Sequence, residues 1–265
     1  MQFVPEAAAN RPALTRSLHR AVGLLRLLAS HTRIGWRLSD LAKHTELDPA
    51  TVHRLLTGLC DAGLATRVQG SKHYTLGPLA FELGLAAAPY FDLGQLANTV
   101  LAALATELKG TIFLKARSGM ESVCLARHDG AGRVPSLMLD VGGRRPLCLT
   151  AGGVAMLLPL PTAEQKRIEA ANQLTIERQD QTRWTGISQM LVRSRQVGFA
   201  LNLGDIATGI SAVSVSIPSE GRAPLASLTL ALTGSALTEV SAPDLAAMLR
   251  REAGAMVPML AQLRL

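Results

Sequence analysis

The stretch Leu38–Asp61, LSDLAKHTELDPATVHRLLTGLCD, constrains this chain most, because it reads as two short helices joined by a tight turn. Asp48 and Pro49 start the second helix. An aspartate at that place caps free backbone N–H groups, and proline at the first helical position gives up an N–H that would be unpaired anyway. Val52, Leu55, Leu56 and Leu59 recur at i, i+3, i+4 and i+7, so one apolar stripe lies against neighbours. Thr51, His53, Arg54 and Thr57 face the other way. A short helix with a buried back and small or basic residues near its N-terminal end fits a DNA major groove. Any amphipathic helical pair in an all-α domain shares the periodicity, so the flanking sequence has to decide.

Charge is the first discriminator. Residues 1–77 hold ten Lys and Arg against five Asp and Glu, a balance of +5, and the remaining 188 residues hold only +2. Five of the six histidines, His19, His31, His44, His53 and His73, fall in the same part. A basic excess placed around a helical pair is the footprint of a protein that approaches phosphates.

Residues 1–13 lack periodicity and are expected to form a flexible arm. From Thr15 to Ala29 the spacing predicts a first helix with Leu18, Val22, Leu25 and Leu28 on its packed face and Arg16, Arg20 and Arg26 outside. Gly35 breaks it, Leu38 is expected in a short edge strand, and Ser39 is the expected cap of the next helix. After the helical pair, Leu64, Thr66 and Val68 alternate, Gly70 and Ser71 turn, and His73–Leu76 returns. A β-hairpin directly after a recognition-type helix is a wing. Arg67 and Lys72, near its tip, are the expected phosphate contacts.

These residues carry a family resemblance. RSLHRAVGLLRLLA, LSDLAKHTELDPATVHRLLTGLCDAGLA, the Y-x-L-G from Tyr74 to Gly77 and the later GGRRPLCLTAGG resemble transcriptional regulators of the IclR type, the isocitrate lyase regulator family. The resemblance runs from residue 14 to the C-terminus. It implies dimers or tetramers that bind DNA through an N-terminal winged domain and sense a small molecule through a GAF-like C-terminal domain.

The expected organisation is α+β: an arm over 1–13, a winged helix-turn-helix domain over 14–77, a linker helix over 78–94 and an effector-binding and oligomerisation domain over 95–265. The linker run PLAFELGLAAAPYFD puts Leu79, Leu83 and Ala86 or Ala87 on one face; by resemblance it contributes dimer contacts, and by pattern alone it is equally a core helix. Leu93–Lys109 is an amphipathic helix ended by Gly110. TIFLKARSG, ESVCLARHDG and VPSLMLDVGG read as consecutive antiparallel strands. Helices follow over Thr150–Leu158, Thr162–Gln173 and Ile187–Gln196, then strands in FALNLGD, ISAVSVSIPS and PLASLTLALTG, then a terminal helix. Such an order fits an antiparallel sheet with one face covered and the other free to build a pocket.

Catalysis finds little material. G-x-S-x-G, H-E-x-x-H and P-loop patterns are absent, and His128 is the one histidine of the C-terminal part, so neither an enzyme nor a cofactor is expected. Cys60, Cys124 and Cys148 lie far apart without a C-x-x-C, against both a disulfide framework and a metal site, and are expected as buried thiols. No run reaches about 18 consecutive apolar residues and the N-terminus lacks a secretory pattern, so the expected location is the cytoplasm, away from any membrane.

The expected DNA contacts are Thr51, His53 and Arg54 at base edges and Arg16, Ser17, Arg67 and Lys72 on phosphates, with Pro49 and Ala50 also at the DNA. The partners are a double-stranded, pseudo-palindromic operator, a small organic acid, and further copies of the chain as a homodimer or dimer of dimers. The resemblance places the acid at Thr150, Ala151 and Gly152, where a helix N-terminus suits a carboxylate, with Arg145, Asn202, Ile210, Ala212, Thr229 and Ala231 around it. The chain departs from the family there: Asn202 stands where an acid is usual, Ala212 for cysteine, Ala231 for a small hydroxyl residue, Val154 for lysine, and Arg145 for an apolar residue. Losing an acid and gaining an arginine favours anions, because a guanidinium grips a carboxylate with two parallel bonds; an arginine turned to solvent is the other reading. Two further classes stay open at this point: a protein-interaction module using the winged fold, and a small-acid-processing enzyme with an accessory winged domain.

Overall fold

The computed structural model describes residues 13–30, 35–91, 94–134, 140–178, 180–219, 222–234 and 237–261. The chain divides between residues 92 and 93 into two compact units, each described by itself. The arm expected over residues 1–13 lies outside the described residues except for Ala13, which opens a helix.

The N-terminal unit runs α1 (Ala13–Leu28), β1 (Trp36–Arg37), α2 (Leu38–Thr45), α3 (Pro49–Asp61), β2 (Ala65–Arg67), β3 (His73–Leu76) and α4 (Pro78–Phe91). Its three strands form an antiparallel sheet in the order β1-β3-β2. Leu24, Leu28, Trp36, Leu41, Val52, Leu56 and Leu59 make one core beneath the three helices. The α3 stripe is therefore the buried back that the spacing of Val52, Leu56 and Leu59 requires, with Leu55 half-buried beside it.

Three local expectations are corrected. In α1, Leu18 is 63% exposed and Val22 39%, whereas Leu24 and Leu28 are fully buried, with Ala21, Leu25 and Leu27 packed beside them. Leu18 and Val22 lie about a third of a turn round the helix from the buried pair. The apolar surface of α1 is thus wider than its core contact, and periodicity could not tell which part faces inward. Leu38 opens α2 instead of lying in the strand, because Trp36 and Arg37 pair with Tyr74 and His73 and the strand ends there. Ser39 is not the cap: Arg37 holds that position with no side-chain cap bond, and the Ser39 hydroxyl turns to the Asp40 carboxylate at 3.4 Å.

The C-terminal unit runs α5 (Gly94–Glu107), β4 (Thr111–Ser118), β5 (Glu121–Asp129), β6 (Arg144–Pro146), one 3-10 turn (Leu147–Leu149), α6 (Ala151–Leu157), α7 (Thr162–Glu177), α8 (Arg183–Val197), β7 (Ala200–Leu203), β8 (Ile210–Ser219), β9 (Arg222–Thr233) and α9 (Ala242–Ala261). Six strands make one antiparallel sheet in the order β6-β5-β4-β9-β8-β7. The third strand expected in VPSLMLDVGG falls partly on residues 135–139, outside the described residues, and Val141 and Gly142 form a turn; the strand that pairs with β5 there is β6.

Both faces of this sheet are covered, which corrects the expectation of one free face. Ile112, Leu114, Val213, Val215, Leu228 and Leu230 point to one side and pack with α5 and α9. Phe113, Ala200, Ala212 and Ala231 point to the other and pack with α6, α7 and α8. The sequence signal is β4, where Thr111 to Ala116 are all buried. A strand apolar at consecutive positions is buried on both faces, and each fully buried Ile or Leu adds about 1.5–3 kcal/mol. Burial of the thiols holds for Cys124 and Cys148, whereas Cys60 is half-buried at the end of α3.

Candidate nucleic-acid interface and effector site

The start of α3 is built as its sequence dictates. The Asp48 carboxylate accepts the Thr51 backbone N–H at 2.8 Å, and Pro49 occupies the first turn. Hydrogen bonding from the Thr51 side chain, and then from its backbone N–H, holds the Asp48 carboxyl below the ordinary aspartate range. Pro49, Ala50, His53 and Arg54 are exposed and Thr51 is half-buried, so the N-terminal turns of α3 present an open edge over a packed back. Arg16 and Ser17 are exposed on α1.

The wing is a hairpin in which Thr66 stands opposite Thr75 and Arg67 opposite Tyr74. Arg67 Nε donates to the Ser71 carbonyl at 2.9 Å, so this side chain braces the tip, and Lys72 is exposed beside it. The wing is anchored where it leaves the unit. A Cβ at Gly77 would stand 2.3 Å from the Gly63 carbonyl oxygen and 2.8 Å from that of Ala65, so the closing residue of the Y-x-L-G run has to be glycine.

In the C-terminal unit the sheet face under α6 is organised in cross-strand rows, and partners in a row share a face. Thr111, Ala231, Ala212 and Asn202 form one row, with Ile210 one step before Ala212 along β8 on the same face. The next row holds Phe113, Thr229 and Ser214, and the Ser214 and Thr229 hydroxyls lie 2.7 Å apart. The third holds Cys124, Lys115 and Ser227. Gly152 of α6 presses onto this face: a Cβ there would come within 2.7 Å of Lys115 Cδ and 2.8 Å of Thr229 Oγ1. Thr150 caps α6 by accepting the Gly153 N–H at 3.0 Å, and its hydroxyl lies 3.5 Å from that of Ser122.

The residues expected around a bound acid are therefore spread across the sheet. Thr150, Ala151 and Gly152 sit over Thr229, but Arg145 and Asn202 are on β6 and β7, the two outermost strands, five spacings of about 4.8 Å apart along the sheet. Asn202 is engaged in its own loop: Nδ2 donates to the Ile210 carbonyl at 3.1 Å, and Oδ1 accepts from Asp205 N–H at 2.9 Å and Ile206 N–H at 3.3 Å. The adjacent Asp205 binds Arg193 at 2.7 Å. Arg145 is half-buried rather than turned to solvent, and burial, with Arg183 nearby, weakens its hold on its proton.

Sequence reasoning missed Lys115. It is 3% exposed, it makes no hydrogen bond or ion pair among the described residues, and burial pulls its ammonium down to about 8. Its cross-strand partner Ser227 is fully buried, and the Ser227 hydroxyl has no hydrogen-bond partner. The signal was present: a lysine inside TIFLKA, in phase with Phe113 and so on a face that is covered.

With both sites described, similarity to known proteins can be placed. Residues 17–69 match the IclR helix-turn-helix domain and residues 86–257 match the IclR C-terminal domain of bacterial transcriptional regulators. The DNA-binding transcriptional repressor YiaJ of Escherichia coli K12 is 26% identical over 255 residues, 93% of this chain and 88% of that protein. An IclR family transcriptional regulator from Brucella abortus shares the fold with a TM-score of 0.71 at 19% identity, over 94% of each chain. An IclR homologue from Microbacterium hydrocarbonoxydans, solved with 4-hydroxybenzoate, superposes with a TM-score of 0.61 at 18% identity over 94% of this chain and 99% of that one. With both of its units matched in order, the chain belongs to the IclR family of DNA-binding bacterial transcriptional regulators.

Proposed function

We propose that this regulator is ligand-responsive: it binds a pseudo-palindromic operator as a homodimer or dimer of dimers and alters that binding when its C-terminal unit takes up a small organic acid. The observation that carries the DNA half is the capped, exposed start of α3 beside a basic wing. Thr51, His53 and Arg54 read base edges, Pro49 and Ala50 lie at the DNA beside them, and Arg16, Ser17, Arg67 and Lys72 hold phosphates. Two recognition helices entering successive major grooves need a spacing of about 34 Å. A ligand that prefers one arrangement of the copies shifts operator affinity by its difference in affinity for the two.

The effector half is the sheet face under α6, with Thr150, Ala151, Gly152 and Thr229 at its centre and Ile210, Ala212, Ala231, Asn202 and Arg145 towards its borders. The 4-hydroxybenzoate bound by the Microbacterium homologue supports an aromatic acid as the class to test first, with aliphatic acids beside it in the panel. Footprinting the purified protein on the DNA upstream of its own gene, with and without a panel of such acids, tests both halves. Protection that changes with one acid is the expected result. Absence of protection at low salt would overturn the DNA assignment, and protection indifferent to every acid would overturn the sensor.

A further inference from the structure

We infer that Lys115 and Ser227 hold the carboxylate of the acid this protein senses, so that the charged end of the ligand lies one row beyond the positions marked by the family resemblance. The inference rests on the effector reading above and adds to it the charge partner.

Three observations converge. Lys115 and Ser227 face each other across β4 and β9 on the covered side of the sheet. Both are at least nine-tenths buried; the Ser227 hydroxyl has no hydrogen-bond partner, and the Lys115 amine has no ion pair among the described residues and lies over the Phe113 ring. Gly152 lies against both, since a Cβ there would be 2.7 Å from Lys115 Cδ and 3.0 Å from Ser227 Oγ, so α6 is the lid of the same place.

A buried donor left unpaired is costly, and a buried charge more so. A lysine commonly escapes by stretching its stem to water, and at 3% exposure Lys115 has little room to do so. Apart from the Phe113 ring, the groups that face it offer no negative charge. Cys124 on β5 is pushed up to about 11 by burial and stays a neutral thiol near neutral pH. Arg145 on β6 is a second cation without an ion-pair partner among the described residues. Arg127 on β5 shares the Phe113 ring with Lys115, each 5.4 Å from its centroid, and is already paired with Asp129. From α6 comes Gly152, and from β9 come Ser227 and Thr229, none of which carries charge. Two cations and an orphan hydroxyl without a carboxylate suit one carboxylate with an apolar body, which would lie against Phe113 and the α6 residues.

Proton linkage makes the inference measurable. Bound carboxylate favours the ammonium form, so binding takes up a proton wherever free Lys115 is already partly neutral, above about pH 8. Cys124 stays a thiol between pH 7 and 9, and benzoate or phenylacetate stays ionised throughout.

The experiment is isothermal titration of the full-length protein with benzoate, phenylacetate, pyruvate and succinate at pH 7 and 9, each in two buffers of different ionisation enthalpy, with benzamide as the neutral control. The expected result is an acid that binds about tenfold more tightly at pH 7 than at pH 9, with proton uptake at pH 9 and no binding of benzamide. Lys115→Met should lose at least tenfold at pH 7 together with the pH dependence. Lys115→Arg should keep binding at pH 7 and be flat in pH. If an acid binds wild type and Lys115→Met equally, without proton uptake, the Lys115 assignment is overturned and the sensor reading stands. If no acid binds wild type while operator DNA still does, both are overturned. Proton uptake by the wild type decides the matter even where a variant fails to fold.

Discussion

Lys115 on β4 and Ser227 on β9 are cross-strand partners that place, in the covered face of the sheet, an amine whose neighbour is the Phe113 ring and a hydroxyl without a hydrogen-bond partner. The pair has a consequence for stability that needs no ligand. A lysine that falls from 10.5 to about 8 on folding favours the neutral form in the native state. Its burden is therefore absent above the unfolded value, grows as pH falls from 10.5 towards 8 and is constant below. The full effect corresponds to about 3 kcal/mol. Lys115→Met is expected to be more stable than wild type at pH 7 by a sizeable part of that amount, with the gap closing by pH 10.5. Denaturant titrations at several pH values measure it.

Asp48 has the opposite linkage. Its carboxyl is lowered below the ordinary value of 3.8 by the Thr51 hydrogen bonds, so the cap acts fully above that value and is lost as pH falls through the native one. Asp48→Ala should lower the melting temperature of the winged unit near pH 7, and the difference from wild type should shrink as pH falls through the lowered native value. Asp48→Asn, which keeps an acceptor oxygen, should lie between the two.

Leu56 is fully buried at the centre of the α3 stripe. Leu56→Ala is expected to cost about 2–5 kcal/mol and to abolish operator binding by loosening α3 from α1 and α2. Thermal melts together with gel shifts check it. Retained stability would mean that the stripe is not the core contact described.

Arg54 and Lys72 separate reading from holding. Arg54→Ala should cost about 1–3 kcal/mol on the preferred site and relax preference at one base pair. Lys72→Ala should weaken all duplexes alike and reduce the slope of log affinity against log salt by about 1 for each wing. Fluorescence titrations over a salt series distinguish the two patterns, and a Lys72 variant with an unchanged slope would remove the wing from the interface.

Gly77 tests the anchoring of the wing. Gly77→Ala forces a methyl group against the Gly63 and Ala65 carbonyl oxygens, which are backbone and cannot turn aside. DNA affinity and the stability of the winged unit should both fall, and backbone amide exchange in β2 and β3 should rise.

The sequence by itself determined the local structure whose causes lie within a few residues. Asp48, Pro49 and the Val52, Leu56, Leu59 spacing specify where α3 starts and which side it buries, because a cap and a helical period are short-range properties. The hairpin over residues 65–76 and the Gly198 end of α8 follow from turn chemistry in the same way. Boundaries that depend on partners were not legible. Leu18 and Val22 continue a correct helical period, yet the contact with α2 and α3 selects Leu24 and Leu28. The sheet had strands enough in the sequence, but its order β6-β5-β4-β9-β8-β7 and the burial of both faces come from pairings far apart in the chain. That order also spread the expected effector residues, taking Asn202 and Arg145 to opposite edges. It brought Lys115, Ser227 and Gly152, separated by 37 to 112 positions, into one place. Register between distant strands is set by the packing of whole faces, and only the tertiary structure decided that this lysine is buried with no carboxylate beside it among the described residues.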